Sequence, residues 1–160
     1  MLKVLMFSAL VFAAREQGAH VHGAGKVSMG FDGKKGKIEM EIPADTLFGF
    51  EHEARSKQDK QKKEEALKKL EDKISEMIVF DSSLKCEIKK EIFEVNQEKN
   101  HADVDAEFSV TCQAPVAGSS VSFHFSKVFS RLKKVQVDVI ADGVQKSAQV
   151  LKNGDSLDLK

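Results

Sequence analysis

Apolar residues recur at every second position in several short stretches of the chain. Residues 37–42 put Ile38, Met40 and Ile42 on one side and charged residues on the other, the pattern of a half-buried strand. Residues 20–31 alternate more weakly, with Val27, Met29 and Phe31 on one side. Asp32-Gly33-Lys34-Lys35-Gly36 supplies a turn, so the two stretches predict an antiparallel pair. Pro43 ends the second strand, and residues 44–53 predict a turn of helix and a loop. The period then changes. Residues 55–77 are dense in Lys, Glu, Gln and Ala, and Leu67, Leu70, Ile74, Met77 and Ile78 recur at helical spacing. This predicts one long helix that docks an apolar stripe on the sheet. Its first half, residues 56–65, has almost no apolar residue and should project into solvent, held by opposite charges three and four positions apart.

Period 2 returns at residues 84–95 and 101–112, with Gln97-Glu98-Lys99-Asn100 as the turn of a hairpin. Centring that hairpin on residue 99 sets Cys86 opposite Cys112, Ile88 opposite Val110, and Ile92 opposite Ala106. One face then holds both cysteines with Leu84, Ile88, Ile92, Val104, Ala106, Phe108 and Val110. Further strands are expected at 120–125, 135–140, 144–151 and 157–159, with a short helix at 126–132 and a turn at Ala141-Asp142-Gly143. Six to eight strands and one long helix joined by short connections make an α+β fold, mainly an antiparallel sheet packed against one amphipathic helix.

Composition narrows the function. The 160 residues carry 25 Lys+Arg and 25 Asp+Glu, a formal net charge of zero. No basic excess exists to neutralise a phosphate backbone, so nucleic acid is not an expected partner. Met1-Leu2-Lys3, an apolar run over residues 4–12 and Ala13-Ala14 have the layout of a short secretory signal. Residues 1–14 therefore read as a signal peptide and 15–160 as a single domain without a membrane span. Export changes the cysteine chemistry: two cysteines placed opposite each other in an exported chain are expected to pair. Closing a loop of about 27 residues would stabilise the fold by roughly 3–4 kcal/mol in the chain-entropy model.

No nucleotide loop, GxSxG or HExxH is present, and no serine is tied to a base, so the chain is not expected to be an enzyme and no catalytic residue is assigned. The remaining chemistry lies in five histidines. His20-Val21-His22 is His-x-His, whose two imidazoles would point to one side of a strand and share a metal ion. Glu51-His52-Glu53 sets an imidazole between two carboxylates. His101-Ala102-Asp103-Val104-Asp105 spaces ligand types two apart on the face away from the core. Glu91 and Glu107 oppose each other in the proposed register, a like-charge cost that a divalent cation or a lysine would remove. Each feature also has an ordinary explanation: a chain end, a solvated helix approach, a solvent-facing strand. His124, on the polar side of its strand, carries no signal of its own.

The stretch Arg15-Glu16-Gln17-Gly18-Ala19-His20-Val21-His22-Gly23 resembles the start of the ZrgA-like family of periplasmic zinc-uptake proteins. Pro43-Ala44-Asp45-Thr46-Leu47-Phe48-Gly49-Phe50-Glu51-His52 resembles that family's P-A-x-x-L-x-G-F-E-H segment. The cysteines flanking a hairpin, with His101 and acidic residues just after its turn, are similar as well. The resemblance implies a periplasmic protein that binds Zn²⁺ and assists a high-affinity zinc importer, with components of a zinc ABC importer as partners. It implies His20, His22, His52, His101 and Asp103 as metal ligands. Members of that family often carry a long His/Asp/Glu-rich insertion at the hairpin turn. This chain has only Gln97-Glu98-Lys99-Asn100-His101, which argues against a high-capacity store. Imidazole also takes other divalent transition metals, Cu²⁺ at least as tightly. Protons compete for it, so affinity should collapse below about pH 6. The rival expectation is a module that binds no metal and presents its charged helix to a partner.

Overall fold

A computed structural model describes residues 22–160; the expected signal segment and His20 lie outside the described residues. Two antiparallel strands open the described chain, β1 (Ala24–Asp32) and β2 (Lys35–Pro43), in register Met29 to Ile38 and Val27 to Met40. Pro43 has no N–H to donate, and the backbone turns there into the short helix α1 (Ala44–Phe48). The long helix α2 (Lys57–Met77) begins two residues later than its composition suggests, because Ser56 caps it: its hydroxyl accepts from the Asp59 N–H at 3.0 Å. Ala66, Leu70, Ile74 and Met77 are its buried residues and join the core. The expected charge pairs fall in its second half, Lys68 with Asp72 and Lys73 with Glu76. In the first half the ladder contact is instead an amide on a carboxylate, Gln61 to Glu65 at 2.8 Å.

Ile78, expected as the last residue of the helical stripe, starts strand β3 (Ile78–Phe80). Its backbone is extended because both Ile78 and Phe80 are buried in the pairing with β6. The hairpin follows as β4 (Glu87–Glu98) and β5 (His101–Thr111). Then come β6 (Ser120–Phe123), α3 (Phe125–Val128), β7 (Lys134–Ala141), β8 (Val144–Val150) and β9 (Asp155–Asp158). That makes nine strands among the described residues, in two sheets: β4-β5-β2-β1-β7-β8 and β3-β6-β9. All pairings are antiparallel except β1 with β7, which runs parallel from Ala24↔Lys134 to Phe31↔Ala141. The expected count was too low, and two sheets rather than one were needed. Short strands such as Ile78–Phe80 give too few alternations to register as a period.

The expected hairpin register holds for only four of the eleven paired positions. Glu87 faces Thr111 and Ile88 faces Val110, as the sequence predicts. Beyond Lys90 a bulge inserts one residue, and every later pair shifts by one. Phe93, not Ile92, then faces Ala106, and its ring meets Phe108 edge-on with centroids 5.3 Å apart. Ile92 moves to the open face opposite Glu107 and is 47% exposed, not buried as expected. The shift separates Glu91 from Glu107, and Lys37 Nζ lies 2.7 Å from Glu107. The ammonium of a lysine meets that carboxylate.

Cys86 and Cys112 form a disulfide with Cα atoms 4.0 Å apart. Leu84 and Cys86 precede β4 in a tight turn rather than belonging to it. On β5 the even-numbered residues, Ala102 through Val110, are buried, and the odd-numbered ones face outward half-buried. The buried apolar residues of both sheets and α2 form one cluster that includes Phe108, Phe123, Leu70 and Leu132.

Candidate metal centre

One end of the large sheet gathers three chain segments. β1 starts there, β2 stops there at Pro43, and β5 begins there, with Pro43 paired to Asp103. The turn before β1 carries His22, and Gly23 fixes it: the Gly23 carbonyl accepts from the N–H groups of Lys133 and Lys134 at 2.8 and 3.1 Å. Helix α1 carries Asp45 in its first turn. Gly49 ends that helix with φ +91°, and its N–H donates to the Asp45 carbonyl at 2.9 Å. This left-handed cap turns the chain so that Glu51 comes back over the sheet end. The Gln97 amide on the hairpin then ties the loop down, donating to the carbonyls of Glu51 at 2.8 Å and His101 at 3.0 Å.

The donors meet as follows. His22 Nδ1 lies 2.7 Å from Asp45 Oδ2. His22, Asp45 and Glu51 each offer one ligand atom, and those atoms lie within 4.8 Å of one another. Glu51 Oε2 lies 3.1 Å from His101 Nδ1, and His101 Nε2 lies 3.1 Å from Asp103 Oδ2. The group is therefore a continuous string: His22, Asp45, Glu51, His101, Asp103. Its carboxylates are mostly shielded, Glu51 and Asp103 at 17% side-chain exposure, whereas His22 is open at 75%. Glu51 Oε1 is buried and accepts no hydrogen bond from the described residues. A buried carboxylate oxygen without a donor has lost its water and gained nothing in return, which makes it an attractive seat for a cation.

The two imidazoles differ. A proton on His22 Nδ1, donated to Asp45, leaves the Nε2 lone pair for a metal. Both ring nitrogens of His101 face carboxylates, an arrangement that suits the imidazolium. Burial pulls its pKa down, but the Glu51 hydrogen bond and the charges of Asp103 and Glu51 outweigh that, and the net shift is upward from 6.5. Glu51 and Asp103 thus favour the charged form of His101 in the metal-free group.

Of the residues that the sequence singled out, His22, His101 and Asp103 come together here. His20 lies outside the described residues. His52 stands apart from the group, 63% exposed, stacked on the Phe50 ring with centroids 4.7 Å apart and 3.4 Å from Asp59. Sequence reasoning had Glu51 only as a flank of His52, and it passed over Asp45. Both sit inside the segment Pro43 to His52, so the signal was in the right stretch but was read from its histidine alone.

The protein-family model described as "ZrgA family zinc uptake protein" matches residues 19–159. Comparison with the curated proteins returns no match.

Proposed function

The chain belongs to the ZrgA family of zinc uptake proteins, and from that premise we propose that it captures Zn²⁺ outside the cytoplasm and passes it to a high-affinity zinc importer. The observation that carries this reading is the buried Glu51 Oε1, without a hydrogen-bond partner among the described residues, beside His22 and Asp45, with ligand atoms of the three within 4.8 Å of one another. Neutral imidazole plus carboxylate is a donor set that zinc takes readily. His22 and Glu51 are the proposed ligands, Asp45 orients His22 or joins them, and His101 with Asp103 borders the same group. His20 is two residues from His22 and is a further proposed ligand; His52 is the weakest member of the expected set, since it lies outside the group.

The action is reversible coordination and hand-off, with no bond made or broken in a substrate. Three features fit release as well as capture: His22 is exposed, the carboxylates are shielded, and the donors sit on separate segments rather than on one rigid element. A disulfide suits an oxidising compartment, and no described helix is long and apolar enough to cross a membrane. Calorimetric titration of the metal-free protein with ZnCl₂ tests the proposal. Heat of binding that vanishes in the His22→Ala, Glu51→Ala double variant supports it. A wild-type protein that gives no heat overturns it and leaves the exposed first half of α2 as the surface to pursue.

A further inference from the structure

The segment between α3 and β7 touches both halves of the proposed zinc site through one residue. Phe129 and Leu132 are 5% and 1% exposed, so their burial anchors this segment on either side of Arg131. Lys69 adds to that anchoring: its Nζ donates to the Val128 carbonyl at 2.7 Å and lies 5.0 Å from the centre of the Phe129 ring. The Arg131 backbone is therefore held in place, and both its main chain and its side chain face glycines.

A Cβ at Gly23 would lie 2.9 Å from the Arg131 carbonyl oxygen. A Cβ at Gly49 would lie 2.9 Å from both terminal nitrogens of the Arg131 guanidinium and 3.3 Å from its central carbon. The two terminal nitrogens are equally near and the central carbon is farther, so the edge of the guanidinium formed by Nη1 and Nη2 lies against Gly49. Gly23 follows His22 directly, and Gly49 precedes Glu51 by two residues. Among the described residues no carboxylate pairs with this guanidinium, so no ion pair accounts for its placement. Both glycines also have positive φ, +77° and +91°, so each turn is already committed to a backbone that only glycine adopts freely.

We infer that Arg131 is a positioning residue for the zinc group: its carbonyl backs the turn that carries His22, its guanidinium backs the turn that carries Glu51, and it thereby sets the distance between the two donors. The inference rests on the reading of that group as a zinc site. Arginine suits the task because its rigid planar fork sets two terminal nitrogens along one edge against the turn, where a lysine ammonium is a single point charge on a flexible stem. Residues that orient ligands without touching the metal commonly carry a factor of ten or more in affinity.

The test uses the purified protein, ZnCl₂ and CoCl₂. Arg131→Met keeps an aliphatic stem and removes the flat cation; Arg131→Lys keeps charge and removes the plane. In R131M zinc affinity should fall about tenfold, and the visible absorption of bound Co²⁺ should change in position or intensity. The melting temperature of the metal-free variant should match that of the wild type. R131K should resemble R131M. Wild-type affinity and a wild-type Co²⁺ spectrum in R131M overturn the inference. So does full recovery in R131K, which would make charge rather than packing the agent, and so does an affinity loss that merely follows a lowered melting temperature. If the wild-type protein itself takes no zinc, the reading of the site fails first and is seen to fail separately.

Discussion

The two ends of the β4–β5 hairpin are held in contrasting ways. At the open end the Cys86–Cys112 disulfide joins the strands, and Ile88, Val110 and Phe108 pack into the apolar cluster behind it. At the turn end nothing covalent holds the strands to their neighbours. Gln97 ties the hairpin to the Glu51 loop, His101 stands between Glu51 and Asp103, and Asn96 donates to Asp105 at 2.7 Å. The bulge after Lys90 divides the two regimes. On the disulfide side, register and apolar burial reinforce each other. On the turn side, carboxylates crowd together and one buried oxygen goes without a donor. One end is built for stability, and the other retains a polar tension that a cation can relieve.

This contrast is sharpest if the two ends can be broken independently. Replacing Cys86 and Cys112 by serine should lower unfolding stability by about 2–5 kcal/mol in urea titration, while leaving the zinc affinity of the folded variant close to wild type. A zinc site that disappears with the disulfide would show that the two ends are one unit. Glu51→Gln should do the reverse, weakening zinc binding by about 10–100-fold, read by calorimetry, with little change in the metal-free melting curve.

A smaller effect concerns protons. The His101 pKa is raised in the folded protein, so the stability it contributes is complete below the unfolded value of 6.5 and is lost as pH rises through the higher folded value. Metal-free protein should therefore lose urea resistance as pH rises above 6.5, and His101→Asn should flatten that slope. Zinc binding should show the opposite trend, since protons compete with a metal for imidazole ligands. The smallest effect lies far from both ends. Asp155 accepts from the N–H groups of Leu151 and Lys152, and those bonds hold its pKa below 3.8. Its contribution is present above 3.8 and lost as pH falls through the lower folded value. Asp155→Asn should speed hydrogen exchange at those two amides at neutral pH without changing zinc affinity.

Much of the fold is legible in the sequence because it depends on local period. Ile38, Met40 and Ile42 announce a strand, Leu70, Ile74 and Met77 announce a helix face, and Cys86 falls opposite Cys112 by counting from the turn. Those features need only neighbours a few residues away or one hairpin. The bulge was not legible, because it sets Phe93 rather than Ile92 in one half-buried position against Phe108. The larger ring fills that position and the smaller side chain is turned out. The parallel pairing of β1 with β7, more than a hundred residues apart, leaves no local trace either.

The candidate site divides in the same way. The sequence alone determined which kinds of side chain were available: imidazoles at His22 and His101, a carboxylate at Asp103, and a conspicuous Glu-His-Glu. Only the tertiary structure decided which of them meet. It turned Glu51 inward and His52 outward on adjacent positions, brought in Asp45 from α1, and set Arg131 behind the two glycine turns. Which donors converge depends on the relative placement of strand ends and helix caps, and that placement follows from burying one apolar cluster, not from the spacing of polar residues along the chain.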